Sequence, residues 1–159
     1  GPIALKEPDN YEARANLMWT SSLAINGILS YGADVSWCVH PMEHELSAFY
    51  DITHGEGLAI LTPNWMEYVL NEKTADAFAN YGVNVWDIPK DTDKMTAAKQ
   101  AIQKTREFFE IMGLPKTLTD VGIDSSKLEI MAEKAADGIG KSFVPLNKED
   151  VLNIYKMSL

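Results

Sequence analysis

The stretch W-C-V-H-P-M-E-H-E-L-S-A-F-Y-D-I-T-H-G-E-G-L-A-I-L, Trp37 to Leu61, contains all three histidines of the chain. His40 and His44 stand four apart, the spacing that brings two side chains to one face of a helix. His54 follows ten residues later, beside Gly55 and Gly57. Neutral imidazole is the commonest nitrogen ligand of zinc, iron, nickel and copper, so the cluster is a candidate transition-metal site, with Glu43, Glu45, Asp51 and Glu56 adding negative field nearby. Histidines that are merely hydrogen-bonded or solvated are the competing reading, because an i,i+4 pair carries little information by itself.

Geometry sets a condition on the metal reading. A continuous helix would hold His40 and His54 about 21 Å apart at about 1.5 Å per residue. Sharing one ion therefore demands a short helix followed by a return. The residue before a proline avoids helical dihedrals and proline is tolerated in a first turn, so His40 reads as an N-terminal flank and Pro41 as the first helical position. The helix then carries Met42 to about Ala48 or Tyr50. Asp51 or Thr53 caps a second helix, with His54 at its start facing back, Gly55 and Gly57 allowing close backbone approach, and Leu58 to Leu61 entering the core.

The pattern H-x3-H-E-L-x-A-x8-H-G, carried by His40, His44, Glu45, Leu46, Ala48, His54 and Gly55, resembles the signature of the iron-containing (group III) alcohol dehydrogenases, in particular the butanol dehydrogenase branch. Tyr11 to Thr20 is similar to the helix that precedes that signature, and Phe108 to Leu118 to a segment downstream of it. The resemblance implies a divalent metal, Fe2+ or Zn2+, with His40 and His54 as two of its ligands. It implies His44 as the active-site histidine, close to substrate and to the nicotinamide of NAD(P)H, and not a ligand. It also implies an aspartate and a further histidine from a D-x3-H stretch, and a glycine-rich nucleotide-binding domain, both N-terminal to this sequence. Neither is found here: no G-x-G-x-x-G occurs and no Asp stands four before any histidine. The expectation is a C-terminal fragment, inactive alone, whose partners are a small alcohol or aldehyde, the missing nucleotide-binding domain and a second copy in a full-length homodimer.

Composition agrees with an ordinary globular chain. The 159 residues are 46% apolar and 23% charged, enough for one sizeable core. A net charge of −9 and a pI near 4.7 disfavour nucleic acid and anionic membrane surfaces as partners. Cys38 is the only cysteine, which excludes an internal disulfide and fits a reducing, cytoplasmic location; a buried thiol is the better reading of it than a ligand. No signal peptide and no apolar run of about 18 residues is visible.

Along the chain, residues 1–8 read as an N-terminal arm and 9–159 as an all-helical metal-binding domain. Tyr11, Ala15, Met18, Ser22, Ile25 and Leu29 recur at helical spacing toward Gly32, predicting a core helix capped by Asp9, with Trp19, Asn16 and Asn26 as possible cleft residues. A helix continues through Pro63 to Asn71, another spans Thr74 to Val83, and Gly82 to Ile88 reads as a tight exit. Asp91 to Met112 is the clearest helix, capped by Asp91 or Thr92 and stopped by Gly113. Ser125 to Ala136 and Val151 to Met157, the latter capped by Asn147, complete the set. Strand alternation is absent, so the fold class is all-α, a bundle of about seven helices, which the resemblance identifies as the C-terminal domain of the dehydroquinate-synthase-like, iron-containing alcohol dehydrogenase fold. Phe49, Tyr50 and Trp37 are candidates to shape an apolar substrate pocket, whereas Asp120 and Asp124 read as turn residues. A functional alternative of another class is a helical binding module that kept this fold and acts through surface contacts only.

Overall fold

Asn10 lies just before the first long helix, and its side chain accepts from the N–H of Ala13, satisfying one of the helix's orphan donors. The computed structural model describes residues 1–32 and 35–159 and contains eight α-helices, with no strand among the described residues. They are α1 (Pro2–Lys6), α2 (Tyr11–Ile25), α3 (Val39–Tyr50), α4 (His54–Val69), α5 (Ala75–Trp86), α6 (Lys94–Ile111), α7 (Leu128–Gly138) and α8 (Lys148–Met157). Gly1–Ser36 and Trp37–Leu159 form two compact units.

The first unit departs from the sequence reading. Residues 2–6 of the expected arm are helical, and Asn10 rather than Asp9 is the cap of α2. α2 ends at Ile25, and Gly27 takes a left-handed φ of 88° before a short 3-10 turn at Ile28–Ser30. The expected core helix has no buried residue, and Trp19 is 67% exposed. Met18 and Ile25 do share a face, but Leu17 and Trp19 point elsewhere and Ser22 interrupts the stripe, so the apolar face is too weak to bury the helix within its own unit.

The second unit holds the main core. Met42 and Leu46 of α3, Ile60 and Leu61 of α4, Leu128, Met131 and Ala135 of α7, and Val151, Ile154 and Tyr155 of α8 are buried in one cluster. Tyr155 is fully buried, its hydroxyl donates to the Met42 carbonyl at 2.6 Å, and burial pushes its ionisation far upward, so it serves as a neutral tie between α8 and α3. Asn147 caps α8, as expected, and does so through a reciprocal capping box with Asp150; the helix starts at Lys148, earlier than Val151. α4 runs through Pro63 without ending there. Asn64, one residue later, is buried yet satisfied: its amide donates to Ile60 O and to Ser158 Oγ, and its oxygen accepts from Arg106.

α5 is longer than its apolar pattern suggests. Gly82 is not an exit but an interior, buried residue of the helix, which continues to Trp86. The helix ends where Asp87 turns left-handed (φ 53°) and the Ile88 N–H returns to the Gly82 carbonyl at 3.2 Å. Gly82 is required by packing: a Cβ there would lie 2.8 Å from Ile88 Cδ1, 3.1 Å from Ala101 Cβ and 3.2 Å from the Ala97 carbonyl. α6 begins one residue after Asp93, whose carboxylate caps it through Thr96, so neither Asp91 nor Thr92 is the cap. Asp120 and Asp124 hold turn and cap N–H groups, as turn residues do.

Gly82→Val should destabilise the chain by about 1–3 kcal/mol through overpacking of the α5–α6 contact. Urea unfolding followed by helical circular dichroism measures the loss; an unchanged midpoint would show that the two helices separate without cost.

Candidate metal centre

The three histidines converge because α3 and α4 are joined by a return of only three residues, Asp51, Ile52 and Thr53. Asp51 does not cap the second helix. It terminates α3 in the left-handed region (φ 54°), with its N–H on the Ser47 carbonyl. Thr53 occupies the cap position of α4 without a side-chain cap bond, and His54 is the first residue of α4. α3 starts at Val39, a little earlier than the proline argument predicts, so His40 and Pro41 both lie in its first turn.

The ring centroids of His40 and His54 are 5.4 Å apart, those of His44 and His54 5.5 Å, and those of His40 and His44 6.1 Å. Two imidazoles sharing one ion at a bond length of about 2.1 Å and a near-tetrahedral angle place their centroids about 5 Å apart. The arrangement therefore fits a divalent ion, with nitrogen donors of the borderline softness that zinc and iron accept. The donor atoms of Glu43, His44 and His54 also lie within 4.8 Å of one another. Burial, then the neighbouring His54 and His44, lower the pKa of His40, with Glu43 acting in the opposite direction, so mutual repulsion disfavours protonating this ring.

Glu43 is the site residue that sequence reading reduced to background field. It is fully buried, at 0% exposure. Its Oε2 is hydrogen-bonded to His54 Nδ1, and its Oε1 accepts from Ser47 Oγ at 2.5 Å. The signal was present in the sequence: Val39, Met42, Glu43 and Leu46 form the buried stripe of α3, and Glu43 is the one charged residue on it.

Trp37 packs edge-on against His40, with centroids 4.6 Å apart, and lines an open cleft with His40, Pro41, His44, Glu45 and Lys134. Phe49 and Tyr50, expected in a substrate pocket, do not line it. Their rings pack against the core cluster and carry lysine ammonium groups: Lys127 Nζ lies 4.8 Å from the Tyr50 centroid and Lys134 Nζ 4.9 Å from that of Phe49. Cys38 is buried at 2% exposure.

An all-helical chain with this histidine pattern on a helix, a tight return and a second helix belongs to the Fe-containing alcohol dehydrogenase family: residues 2–159 match the family's C-terminal region. Among particular relatives, it is 60% identical over 163 residues to NADH-dependent butanol dehydrogenase B of Clostridium acetobutylicum, covering 100% of this chain and 42% of that protein. NADH-dependent butanol dehydrogenase A of the same organism is 58% identical over 161 residues, covering 99% of this chain and 41% of its own length. The chain thus spans about two-fifths of the length of these curated relatives. Its fold matches the substrate- and cofactor-free form of the aldehyde reductase YqhD from E. coli with a TM-score of 0.89 at 32% identity, over 99% of this chain and 42% of that one. Among the described residues no helix is long and apolar enough to cross a membrane.

Ser47→Ala leaves Glu43 Oε1 without its donor in a buried position, and the expected cost is about 1–3 kcal/mol of unfolding free energy. Thermal and urea unfolding of the variant test this; wild-type stability would mean that water reaches the carboxylate.

Proposed function

We propose that this chain is the metal-binding part of an NADH-dependent alcohol dehydrogenase that interconverts primary alcohols, butanol among them, and the corresponding aldehydes. The observation that carries this reading is the convergence of His40, His44 and His54 within 5.4–6.1 Å between ring centroids. Family membership and the names of the butanol dehydrogenase relatives support it. In this reading the remaining ligands and the nucleotide-binding segment belong to the part of the relatives' length that this chain does not cover.

His40 and His54 would each hold the ion through one ring nitrogen. A bound divalent ion, ferrous iron or zinc, supplies the Lewis acidity that polarises the substrate carbonyl for hydride transfer from nicotinamide. His44 shares the face of α3 with His40 and is exposed at the opening. It holds a proton for the substrate oxygen, giving it up in aldehyde reduction and taking it back in alcohol oxidation. Trp37 walls one side of the cleft and packs edge-on against the His40 ring. The grouping of Glu43, His44 and His54 donor atoms favours a second reading, in which His44 replaces His40 as a ligand.

Elemental analysis and steady-state kinetics of the complete protein carrying His40→Ala, His44→Ala or His54→Ala separate the two. The expected result is loss of metal in the His40 and His54 variants, and in His44→Ala retained metal with a rate lowered roughly 10²–10⁴-fold. Metal lost from His44→Ala and kept in His40→Ala would establish the second reading. Metal kept in all three would overturn both.

A further inference from the structure

Glu43 is buried where α3 faces α4, and the surrounding packing is arranged to admit it. Gly57, one turn into α4, provides the space: a Cβ there would lie 2.7 Å from Glu43 Cγ and 2.9 Å from its Oε1. Nothing in a helix asks for glycine at that position, and its use costs about 1 kcal/mol against alanine. Ser47, one turn after Glu43 on α3, donates to Oε1, which leaves Oε2 directed at His54 Nδ1. A buried carboxylate with no cation beside it is costly, so a residue placed this way must be held by donors on both oxygens, and it is.

We propose that Glu43 is the positioning carboxylate of His54: seated in the gap left by Gly57 and oriented by Ser47, it accepts the Nδ1–H of His54 and thereby presents the Nε2 lone pair to the metal. The role rests on the reading of His54 as a ligand. A free imidazole can carry its proton on either nitrogen and rotate about its side-chain torsions. Fixing the proton on Nδ1 selects the tautomer that can coordinate through Nε2, and fixing the ring removes the torsional freedom otherwise lost on binding. Oxygen partners of metal-bound histidines also raise the basicity of the donating nitrogen. His54 needs this more than a buried histidine would, because its side chain is 48% exposed and solvent would otherwise compete for both ring nitrogens.

The test uses the 159-residue chain. Long-range 1H–15N spectra of the imidazoles at about pH 8 report the tautomer without metal. Zinc titration then gives affinity for wild type, His54→Ala, Glu43→Ala and the double variant Glu43→Ala/Gly57→Ala, in which the new methyl group occupies the space the carboxylate leaves. The expected result is an Nδ1–H tautomer for His54 in wild type that zinc leaves protonated while the Nε2 resonance moves. Both Glu43 variants should lose that tautomer and bind zinc about 10- to 100-fold more weakly. Recovery of zinc affinity in the double variant along with its thermal midpoint would assign Glu43 a packing role and overturn the proposal. So would a wild-type His54 protonated on Nε2, or coordination through Nδ1. If His54→Ala weakens zinc and the Glu43 variants do not, the positioning role falls while the metal reading stands. If His54→Ala binds zinc as well as wild type, the metal reading falls and takes the positioning role with it.

Discussion

The close approach of α3 and α4 around one buried carboxylate is the constraint on which the site depends. Two helices joined by three residues run back along each other, and what lies between them is decided by side-chain volume. Here a full-sized glutamate on α3 faces a glycine on α4, at a spacing where any Cβ would overlap it. The carboxylate reaches across to the first residue of α4, so the same contact that closes the helix pair also holds the ring of His54. Displacing Glu43 would therefore disturb packing and the orientation of His54 together.

The approach is itself anchored from the opposite side. Tyr155 of α8 ties to the Met42 carbonyl, one residue before Glu43, and Leu46 is fully buried one turn on. α3 is thus held by its apolar face in the main cluster while its histidines look outward. A helix so held has little freedom to rotate, and a rotation of one residue position, about 100°, would carry His40 and His44 away from His54.

The outline of this arrangement was legible in the sequence, because proline and glycine restrict the backbone locally. The helix, return and second helix follow from Pro41, from the distance that three histidines must close, and from His54 at the head of an apolar run. The signature H-x3-H-E-L-x-A-x8-H-G also carries the family, which residues 2–159 bear out. What escaped is tertiary. Gly82 looks like a terminator until α6 is laid against it, and Asp87 and Asp51 end helices with a left-handed turn that glycine more commonly supplies. Phe49 and Tyr50 read as pocket residues, but their rings pack against the core cluster and lie under lysines on and beside α7. Glu43 was hidden by chemistry rather than by distance: a glutamate between histidines looks like surface field, and only the helical phase of Val39, Met42 and Leu46 shows that it points inward.

The core and the site draw on different residues, and this separates folding from metal binding. The main cluster is built mostly from leucine, isoleucine, methionine, valine and alanine side chains of α3, α4, α7 and α8, and it contains none of the three histidines. Burial of such side chains is worth about 1.5–3 kcal/mol each, so helices of this number need no ion to form, unlike a zinc finger that is unfolded when empty. Glu43 is the one point where the two overlap, since it is packed as a core residue and bonded as a site residue. Its desolvation is a cost to the fold that no apolar contact requires, and the hydrogen bonds from Ser47 and His54 are what offset it. A core that could have placed a methionine or leucine at this position instead keeps a charge pointed at a histidine, and the orientation of His54 is the gain that this arrangement explains.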